Sequence, residues 1–157
     1  MPDAPCGPPT ARVPVPLAIL DTQVVLDWLV FHDPAASPLK TAIEDGQLRW
    51  LASVAMRAEL ERVLARGAGA ARNPDHGAVM AAFDRLASPA EPSPLPQPGL
   101  RCTDPTDQVF IDLAISARAQ WLFSRDRALL RLARRARTLG VIVTRPADWS
   151  ASSAAAA

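Results

Sequence analysis

Short runs dominated by apolar residues alternate with helix-patterned segments along this sequence, and that alternation restricts the folds open to it. The runs are residues 17–20, 48–52, 120–124 and 141–143. Nearly continuous apolar character indicates strands that are buried on both faces, as in parallel sheets. Helical patterns between the runs imply right-handed βαβ connections. We therefore predict an α/β fold, a three-layer sandwich whose central, mostly parallel sheet is flanked by helices.

Helical patterns and caps occupy the stretches between these strands. We predict helices from Thr22, over residues 38–44, after an N-cap at Ser53, from Asp75 to about Leu86, after an N-cap at Asp104, and from Asp126 to a cap at Gly140. The last of these is expected to be one helix. Residues 88–99 are dense in proline, which predicts an extended surface loop.

At 157 residues, the chain suffices for one domain with a buried core and is too short for two typical ones. We place that domain at residues 17–149, between a proline-rich, flexible tail at 1–16 and a second flexible tail at 150–157. A mean hydropathy of +0.06 is typical of a globular protein. No apolar run approaches the about 20 residues that cross a bilayer, and residues 1–16 lack the apolar centre of a secretion signal. We expect a cytoplasmic protein without membrane contact.

The positions of the cysteines and histidines argue against a disulfide and against a zinc site. Cys6 lies in the predicted tail and Cys102 in a loop, so both are expected to be free thiols. His32 and His76 have no metal-ligand spacing to each other or to a cysteine, which argues against zinc. Any metal is therefore expected to be bound by oxygen.

Four acidic residues stand where predicted strands or helices bring a carboxylate to one end of the sheet. They are Asp21, Glu59, Asp107 and Asp126. Two unit charges about 4 Å apart repel by roughly 4 kcal/mol at an effective dielectric of about 20, so clustered carboxylates need a cation. Oxygen ligands select Mg²⁺ or Mn²⁺. Taken singly, each acid is explained as a cap, a turn residue or a surface acid, and only their convergence favours a shared site.

Two aspartates near the start of one predicted helix are interpreted differently. Asp104 precedes Pro105 and is predicted to be the N-cap, a supporting structural role. Asp107 precedes Phe110 and Ile111 by three and four residues, so its carboxylate falls on the apolar face of the predicted helix. Burying a carboxylate there costs free energy, which suggests a functional role. Four other acids are expected to be solvated, namely Asp27, Asp33, Glu61 and Asp112.

Positive charge is concentrated near the C-terminal end of the predicted domain. The net charge is only +1, yet seven arginines fall within residues 118–137. Arginine binds phosphate through two parallel hydrogen bonds, which makes Arg125, Arg127 and Arg131 candidates for phosphate contacts. A solvated helix face explains the same residues equally well. Trp28 and Trp121 are candidates for contacts with bases, but burial is the favoured interpretation.

Four short motifs follow one another across residues 17–149. They are Leu20-Asp21-Thr22, Glu59-Leu60 with residues 63–66, Asp104-Pro105-Thr106-Asp107, and Ser124-Arg125-Asp126. In this order they resemble the PIN-domain family, specifically bacterial PIN proteins described as toxin components of toxin–antitoxin pairs. Any one motif alone is common, whereas four in register are hard to obtain by accident.

The resemblance implies a Mg²⁺- or Mn²⁺-dependent ribonuclease that hydrolyses phosphodiester bonds with metal-activated water. It implies that Asp21 and Asp107 are the main metal ligands and that Asp126 is a direct or water-mediated one. Glu59 either binds metal or orients the attacking water, and the sequence does not choose between these roles. The preference for RNA over DNA comes from the resemblance alone, because a water nucleophile does not require a 2′-hydroxyl.

The resemblance also implies supporting residues and partners. Thr22 and Ser124 would support the metal site, and the three arginines at 125, 127 and 131 would contact RNA. A small antitoxin would occlude the acidic groove, and the protein would self-associate as a homodimer.

Some residues depart from the family pattern and keep other functions open. Gln23 stands where asparagine is frequent, Ser124 where threonine is frequent, and Thr103 where a basic residue is common. The main alternative is a PIN-fold module of weak or lost activity that binds a protein or RNA. A phosphoacceptor or phosphatase is less favoured, because Gln23 replaces the second aspartate it needs and the sole lysine, Lys40, is poorly placed.

Overall fold

The computed structural model describes residues 13–91 and 100–155, built around a five-stranded sheet in which every pairing is parallel. The strands are β1 (Leu17–Leu20), β2 (Arg49–Ala52), β3 (Ser88–Pro89), β4 (Trp121–Phe123) and β5 (Ile142–Thr144). Their spatial order is β3-β2-β1-β4-β5, so β1 is the central strand. The predicted α/β fold with a parallel sheet is confirmed.

Helices connect and cover these strands. They are α1 (Thr22–Leu29), α2 (Ser37–Glu44), α3 (Val54–Ala65), α4 (His76–Leu86), α5 (Gln108–Ser116), α6 (Arg127–Leu130), α7 (Ala133–Thr138) and α8 (Ala151–Ala155). Short 3-10 turns cover Pro34–Ala36, Ala70–Arg72 and Pro146–Asp148. Ser53 caps α3 and Asp75 caps α4, as the sequence predicts.

The central strand shows that the sheet is covered on both faces. Ala18, Ile19 and Leu20 are all buried, although successive side chains in a strand point to opposite faces. Leu20 is in register with Phe123 of β4, and both strands run in the same direction. The residues that follow β1 and β4 therefore meet at one edge of the sheet, the position where ligands bind in such folds.

Tryptophans pack the interior. The ring centroids of Trp50 and Phe83 lie 4.9 Å apart, and those of Trp28 and Trp50 lie 5.7 Å apart. Trp121 stacks on Phe123 with centroids 6.0 Å apart. Trp28 and Trp121 are both buried, so these two rings belong to the core.

Strand β3 differs from the sequence-based prediction, which assigns residues 88–99 to an extended loop. Ser88 and Pro89 pair with Leu51 and Ala52 at the edge of the sheet. An edge position tolerates Pro89, since proline lacks the amide hydrogen that a central strand needs. Residues 92–99 of the predicted loop lie outside the described residues.

The single helix predicted from Asp126 to Gly140 is wrong, because the structure divides it into α6 and α7. Between them, the Leu132 amide donates to the Leu129 carbonyl at 3.0 Å, three residues back instead of four. This tighter turn accompanies burial of Leu129, Leu132 and Ala136 on the same side. Packing of these three side chains overrides the uniform helical pattern.

The predicted N-cap at Asp104 is also wrong, because α5 begins only at Gln108. One Asp104 carboxylate oxygen accepts hydrogen bonds from the amide and the hydroxyl of Thr106, at 2.9 Å and 2.7 Å. These bonds close a local turn of the kind that aspartate forms outside helices. Gln108 then ties the start of α5 to the chain before it, since its side chain bonds to Cys102 and Leu100.

The predicted tails and the two cysteines are described only in part. Residues 1–12 of the predicted N-terminal tail lie outside the described residues, as does Cys6. Residues 13–16 have no regular structure, and α8 covers Ala151–Ala155 inside the predicted C-terminal tail. Cys102 is a buried free thiol. The domain boundaries stay predictions.

Candidate functional site

Asp21 is held rigidly at the carboxyl end of the central strand. Only 4% of the residue is exposed, and it is the N-cap of α1. Its Oδ1 accepts a hydrogen bond from the Val24 amide at 2.8 Å, and its Oδ2 accepts one from the Ser124 hydroxyl. An apolar strand followed by a capping aspartate is a local sequence pattern, which is why this position was predictable.

Ser124 links two of the predicted acids. It is fully buried after β4, and its Oγ both donates to Asp21 and accepts from the Asp126 amide at 2.9 Å. Thr22, the other predicted supporting residue, is the first residue of α1 and lines a cavity of about 10 Å³ with Leu20 and Phe110. The support predicted for Ser124 therefore has a specific geometry, while that of Thr22 stays a prediction.

Asp107 carries the clearest sign of an unmet interaction. It lies in the turn before α5, and its Oδ2 is buried without a hydrogen-bond partner. Burial raises the pKa of Asp107 to about 6, and the negative charges of Asp126, Asp104 and Asp21 act in the same direction. A buried carboxylate oxygen without a donor is costly unless a proton or a cation accompanies it.

The pKa of Asp21 is raised to about 6 as well, chiefly by burial. Hydrogen bonds from Ser124 and Val24 oppose this rise, and the charges of Asp27 and Asp126 add to it. Because the charges of Asp21 and Asp126 both act on Asp107, the structure brings these three predicted acids together. Their roles in catalysis stay predictions.

Asp126 forms the exposed side of this group, which we call the aspartate cluster (Asp21, Asp107 and Asp126). Its Oδ1 accepts from the Ala128 amide at 2.6 Å, which makes Asp126 the N-cap of α6. The cluster thus grades from a buried Asp21 through a partly buried Asp107 to an exposed Asp126. Solvent and a ligand have access from the Asp126 side.

No interaction recorded among the described residues joins Glu59 to the aspartate cluster, and its part in the site stays a prediction. It lies on α3, and its Oε2 pairs with Nη2 of Arg62 at 2.9 Å, on the same helix. The largest charge effects on the pKa values of Asp21 and Asp107 come from other aspartates. The sequence suggested one converging set of four acids, whereas the interactions of the described residues connect three.

Within residues 13–91 and 100–155, no group of three or more histidine, cysteine or acidic side chains is arranged to hold a metal ion. Both oxygens of Asp21 and one oxygen of Asp126 accept hydrogen bonds in this arrangement. The donor set nevertheless suits a hard divalent cation, since it consists of carboxylate and hydroxyl oxygens. The unpartnered Oδ2 of Asp107 is the atom that a cation would satisfy.

The sequence does not predict an ion pair beside the cluster, between a buried aspartate and a half-exposed arginine. Asp27, expected to be solvated, is only 5% exposed and binds Arg125, with Oδ2 to Nε at 2.8 Å and Oδ1 to Nη2 at 2.9 Å. Gln23 donates to the same Oδ1 at 3.0 Å. The four-residue spacing of Gln23 and Asp27 was the available sequence pattern, since it places both on one helix face.

The three arginines proposed for phosphate contacts consequently differ. Arg125 has its charge paired with Asp27, which conflicts with a free role in phosphate binding. Arg127 and Arg131 are exposed, and neither forms an ion pair with any residue that the structure describes. These two remain candidates.

Together, the fold and the cluster define a class: α/β proteins with acidic residues at the carboxyl edge of a parallel sheet. A family model described as PIN domain matches residues 18–128. The chain therefore belongs to the PIN domain family, as its motifs predicted. None of the curated proteins matches this chain.

A solved structure shows the same architecture. The crystal structure of VapBC2 from Rickettsia felis, bound to a DNA fragment from its promoter, contains a chain with 15% sequence identity and a TM-score of 0.54. The likeness covers 81% of this chain and 96% of that one. At this identity the likeness establishes the fold. Among the residues described, no helix has the length and apolar character needed to cross a membrane.

Proposed function

We propose that this chain is a Mg²⁺- or Mn²⁺-dependent endoribonuclease of the PIN type. One observation carries the proposal: Oδ2 of Asp107 is buried without a hydrogen-bond partner, and the negative charges of Asp21 and Asp126 act on the same carboxyl group. A cation between these side chains would remove both the repulsion and the unmet interaction. Membership of the PIN domain family supports the same chemistry.

The residues of the cluster have different roles according to their burial. A bound Mg²⁺ or Mn²⁺ ion supplies a water of lowered pKa and neutralises charge on the phosphate. Asp21, fixed by Val24 and Ser124, provides a rigid carboxylate at the base of the site. Asp107 provides an oxygen that accepts no hydrogen bond from an N–H or O–H donor of the described residues, and a shared proton with Asp126 is what a cation would replace. Exposed Asp126 faces the side from which RNA enters.

The proposal also covers the substrate and the protein partners. The substrate would be single-stranded or looped RNA, because its phosphates reach an open acidic edge without duplex geometry. The VapBC2 likeness supports the toxin of a toxin–antitoxin pair with an antitoxin partner. The proposal adds that the antitoxin is small and sets a basic side chain against the cluster, and that the protein acts in the cytoplasm. Self-association as a homodimer is part of the same proposal.

The test is RNA cleavage with Mg²⁺ or Mn²⁺ by the wild type, Asp21→Asn and Asp107→Asn. Asp75→Asn is a matched control, since Asp75 also caps a helix, accepting from the Ala78 amide at 3.0 Å, but lies outside the cluster. Asparagine is an equally good N-cap, so the change tests charge and not capping. We expect cleavage by the wild type and the control, and at least a hundredfold loss in the other two. Equal cleavage by all four proteins contradicts the proposal.

Specific observations favour a second function, a PIN-fold module of weak or lost activity that binds a protein or RNA. Glu59 is paired with Arg62, and the described residues contain no preformed group of three metal ligands. Gln23 bonds to Asp27, not to Asp21. Calorimetric titration with Mn²⁺ separates the two functions. A nuclease binds the ion with an affinity that Asp107→Asn abolishes, whereas a binding module without metal shows neither effect.

A further inference from the structure

We infer that Arg125 is a positioning residue whose ion pair with Asp27 fixes the turn that presents Ser124 and Asp126 to the aspartate cluster. The inference rests on the proposed function, because it concerns the placement of a proposed metal ligand. It assigns to Arg125 a role different from the RNA contact that the sequence suggested.

Asp27 is a buried carboxylate with a complete set of partners. It lies on α1 and is bound by both Nε and Nη2 of Arg125 and by Nε2 of Gln23. Burying such a charge costs free energy that only good geometry repays. The planar guanidinium contacts both carboxylate oxygens at once, which restricts its orientation more than a single contact does.

Arg125 sits in the middle of a segment without regular secondary structure. Residues 124–126 separate β4 from α6, and they are neither helix nor strand. Ser124 holds one side through its bonds to Asp21 and to the Asp126 amide. Arg125 provides the second attachment, since its side chain reaches the same helix α1 at Asp27.

Two attachment points on α1 fix the orientation of the 124–126 turn relative to that helix better than one does. Other bonds tie the turn to its neighbours, since the Ser124 amide donates to the Thr144 carbonyl at 3.0 Å and Asp126 caps α6. Without Arg125, however, the side chains of the turn reach α1 only at Asp21, at its start. The Arg125 bond, six residues further along α1, fixes the position of the turn relative to that helix. The three residues of the turn therefore have distinct roles, because Ser124 contacts one acid, Asp126 is another, and Arg125 orients both relative to α1.

The chain offers a matched ion pair for comparison. Arg57 on α3 binds Asp84 on α4 through two contacts, 2.6 Å and 2.9 Å long, so it also joins two elements with a bidentate geometry. It is partly exposed and shares no residue with the 124–126 turn. Arg57→Gln therefore reports the loss of an inter-element arginine–aspartate pair without loss of the turn.

The experiment measures Mn²⁺ affinity by titration in the wild type, Arg125→Gln, Arg125→Lys and Arg57→Gln. We expect Arg125→Gln to weaken binding about tenfold, the lower end for residues that orient metal ligands. Arg125→Lys keeps the charge but not the two-nitrogen contact, so its affinity should fall between those of the wild type and Arg125→Gln. Arg57→Gln should bind Mn²⁺ like the wild type.

A double variant separates loss of the attachment from loss of folding. Arg125→Gln leaves Asp27 charged and unpaired, which by itself destabilises the protein. The double variant Asp27→Leu with Arg125→Met removes the attachment and leaves no unpaired buried charge, so it should fold and still bind Mn²⁺ about tenfold more weakly than the wild type. Amide hydrogen exchange at Asp126, measured without metal, should be faster in both Arg125→Gln and the double variant.

The outcomes are distinguishable. Wild-type affinity and wild-type exchange in a folded double variant overturn the inference and leave the proposed function intact. If the wild type binds no Mn²⁺, the proposed function fails, and the exchange of the Asp126 amide alone decides whether Arg125 positions the turn. Equal weakening by Arg57→Gln also overturns the inference, since it shows a general effect of losing an ion pair.

Discussion

Ser124 donates its hydroxyl hydrogen bond to Oδ2 of Asp21, a residue 103 positions earlier in the chain. The contact is possible because β1 and β4 are parallel neighbours that end together, with Leu20 in register with Phe123. The same oxygen of Ser124 accepts the Asp126 amide. One hydroxyl therefore couples two acids of the aspartate cluster.

Ser124→Ala should weaken the site through Asp21. The substitution removes a donor that lowers the pKa of Asp21, so the carboxylate becomes harder to ionise and less firmly held. We expect a loss of roughly 1 to 3 kcal/mol in the free energy of unfolding and at least tenfold weaker Mn²⁺ binding. Ser124→Thr retains the hydroxyl and should bind Mn²⁺ nearly normally. If the alanine and threonine variants bind equally well, the hydroxyl is not needed.

Asp107→Asn and Asp104→Asn should change metal-free stability in opposite directions at neutral pH. The pKa of Asp107 is raised by burial and neighbouring charges, so removing its charge relieves an unfavourable interaction in the folded state. The pKa of Asp104 is lowered by its hydrogen bonds to Thr106, so removing that charge weakens a favourable interaction. Thermal unfolding with a chelator should show a higher midpoint for Asp107→Asn and a lower one for Asp104→Asn. Shifts of the same sign would contradict this assignment.

The contribution of Asp21 to metal-free stability should fall as pH rises from about 4 to about 6. The folded-state pKa of Asp21 is about 6 and its ordinary value is 3.8, so the folded protein holds this proton more tightly than the unfolded chain. The stabilisation is complete below pH 4 and is lost as pH rises through 6, by about 3 kcal/mol for a difference of about 2 in pKa. Asp107 contributes in the same direction, and its coupling to Asp21 makes the two effects non-additive.

The control for that pH dependence is Asp21→Asn. Urea unfolding at pH 4.5, 6 and 7.5 should show that the difference in stability between this variant and the wild type shifts in favour of the variant as pH rises. A difference that does not change with pH would show that Asp21 ionises normally in the folded state.

Glu59→Gln should reduce RNA cleavage much less than Asp21→Asn does. Glu59 is a partly exposed residue of α3 that pairs with Arg62, and no interaction recorded among the described residues connects it to the cluster. We expect less than a tenfold loss of kcat and a stability change within about 0.5 kcal/mol, because a partly exposed ion pair within one helix contributes little. A loss as large as that of Asp107→Asn would instead show that Glu59 takes part in the reaction.

Arg127→Gln and Arg131→Gln should weaken RNA binding without altering Mn²⁺ affinity. Both arginines are exposed and follow the Asp126 carboxylate along the chain, where a phosphate backbone leaving the site can reach them. Each lost phosphate contact should reduce the slope of log affinity against log salt by about 0.7 for a single strand. Arg72→Gln, an exposed arginine in a 3-10 turn, is the control. If the slope of log affinity against log salt is unchanged in both variants, these arginines do not contact RNA and form only a solvated helix face.

The sequence by itself determined the parallel α/β fold, the family and the position of most elements, because apolar runs and capping residues are local patterns. It located Asp21 and Asp126 at strand ends and singled out Asp107 by a predicted place on an apolar helix face, although Asp107 lies just before α5. These inferences needed only the spacing of residues along one strand or one helix.

Tertiary structure alone decided which side chains meet. It linked three of the four acids through their charges and paired Glu59 with Arg62. It showed that Asp104 closes a turn and does not cap a helix, and it divided the last long helix into α6 and α7. It also buried Asp27 against Arg125, two residues 98 positions apart that the sequence treated as solvated or RNA-binding. Ion pairs and burial of this kind depend on the three-dimensional packing of distant segments, so no local spacing contains them.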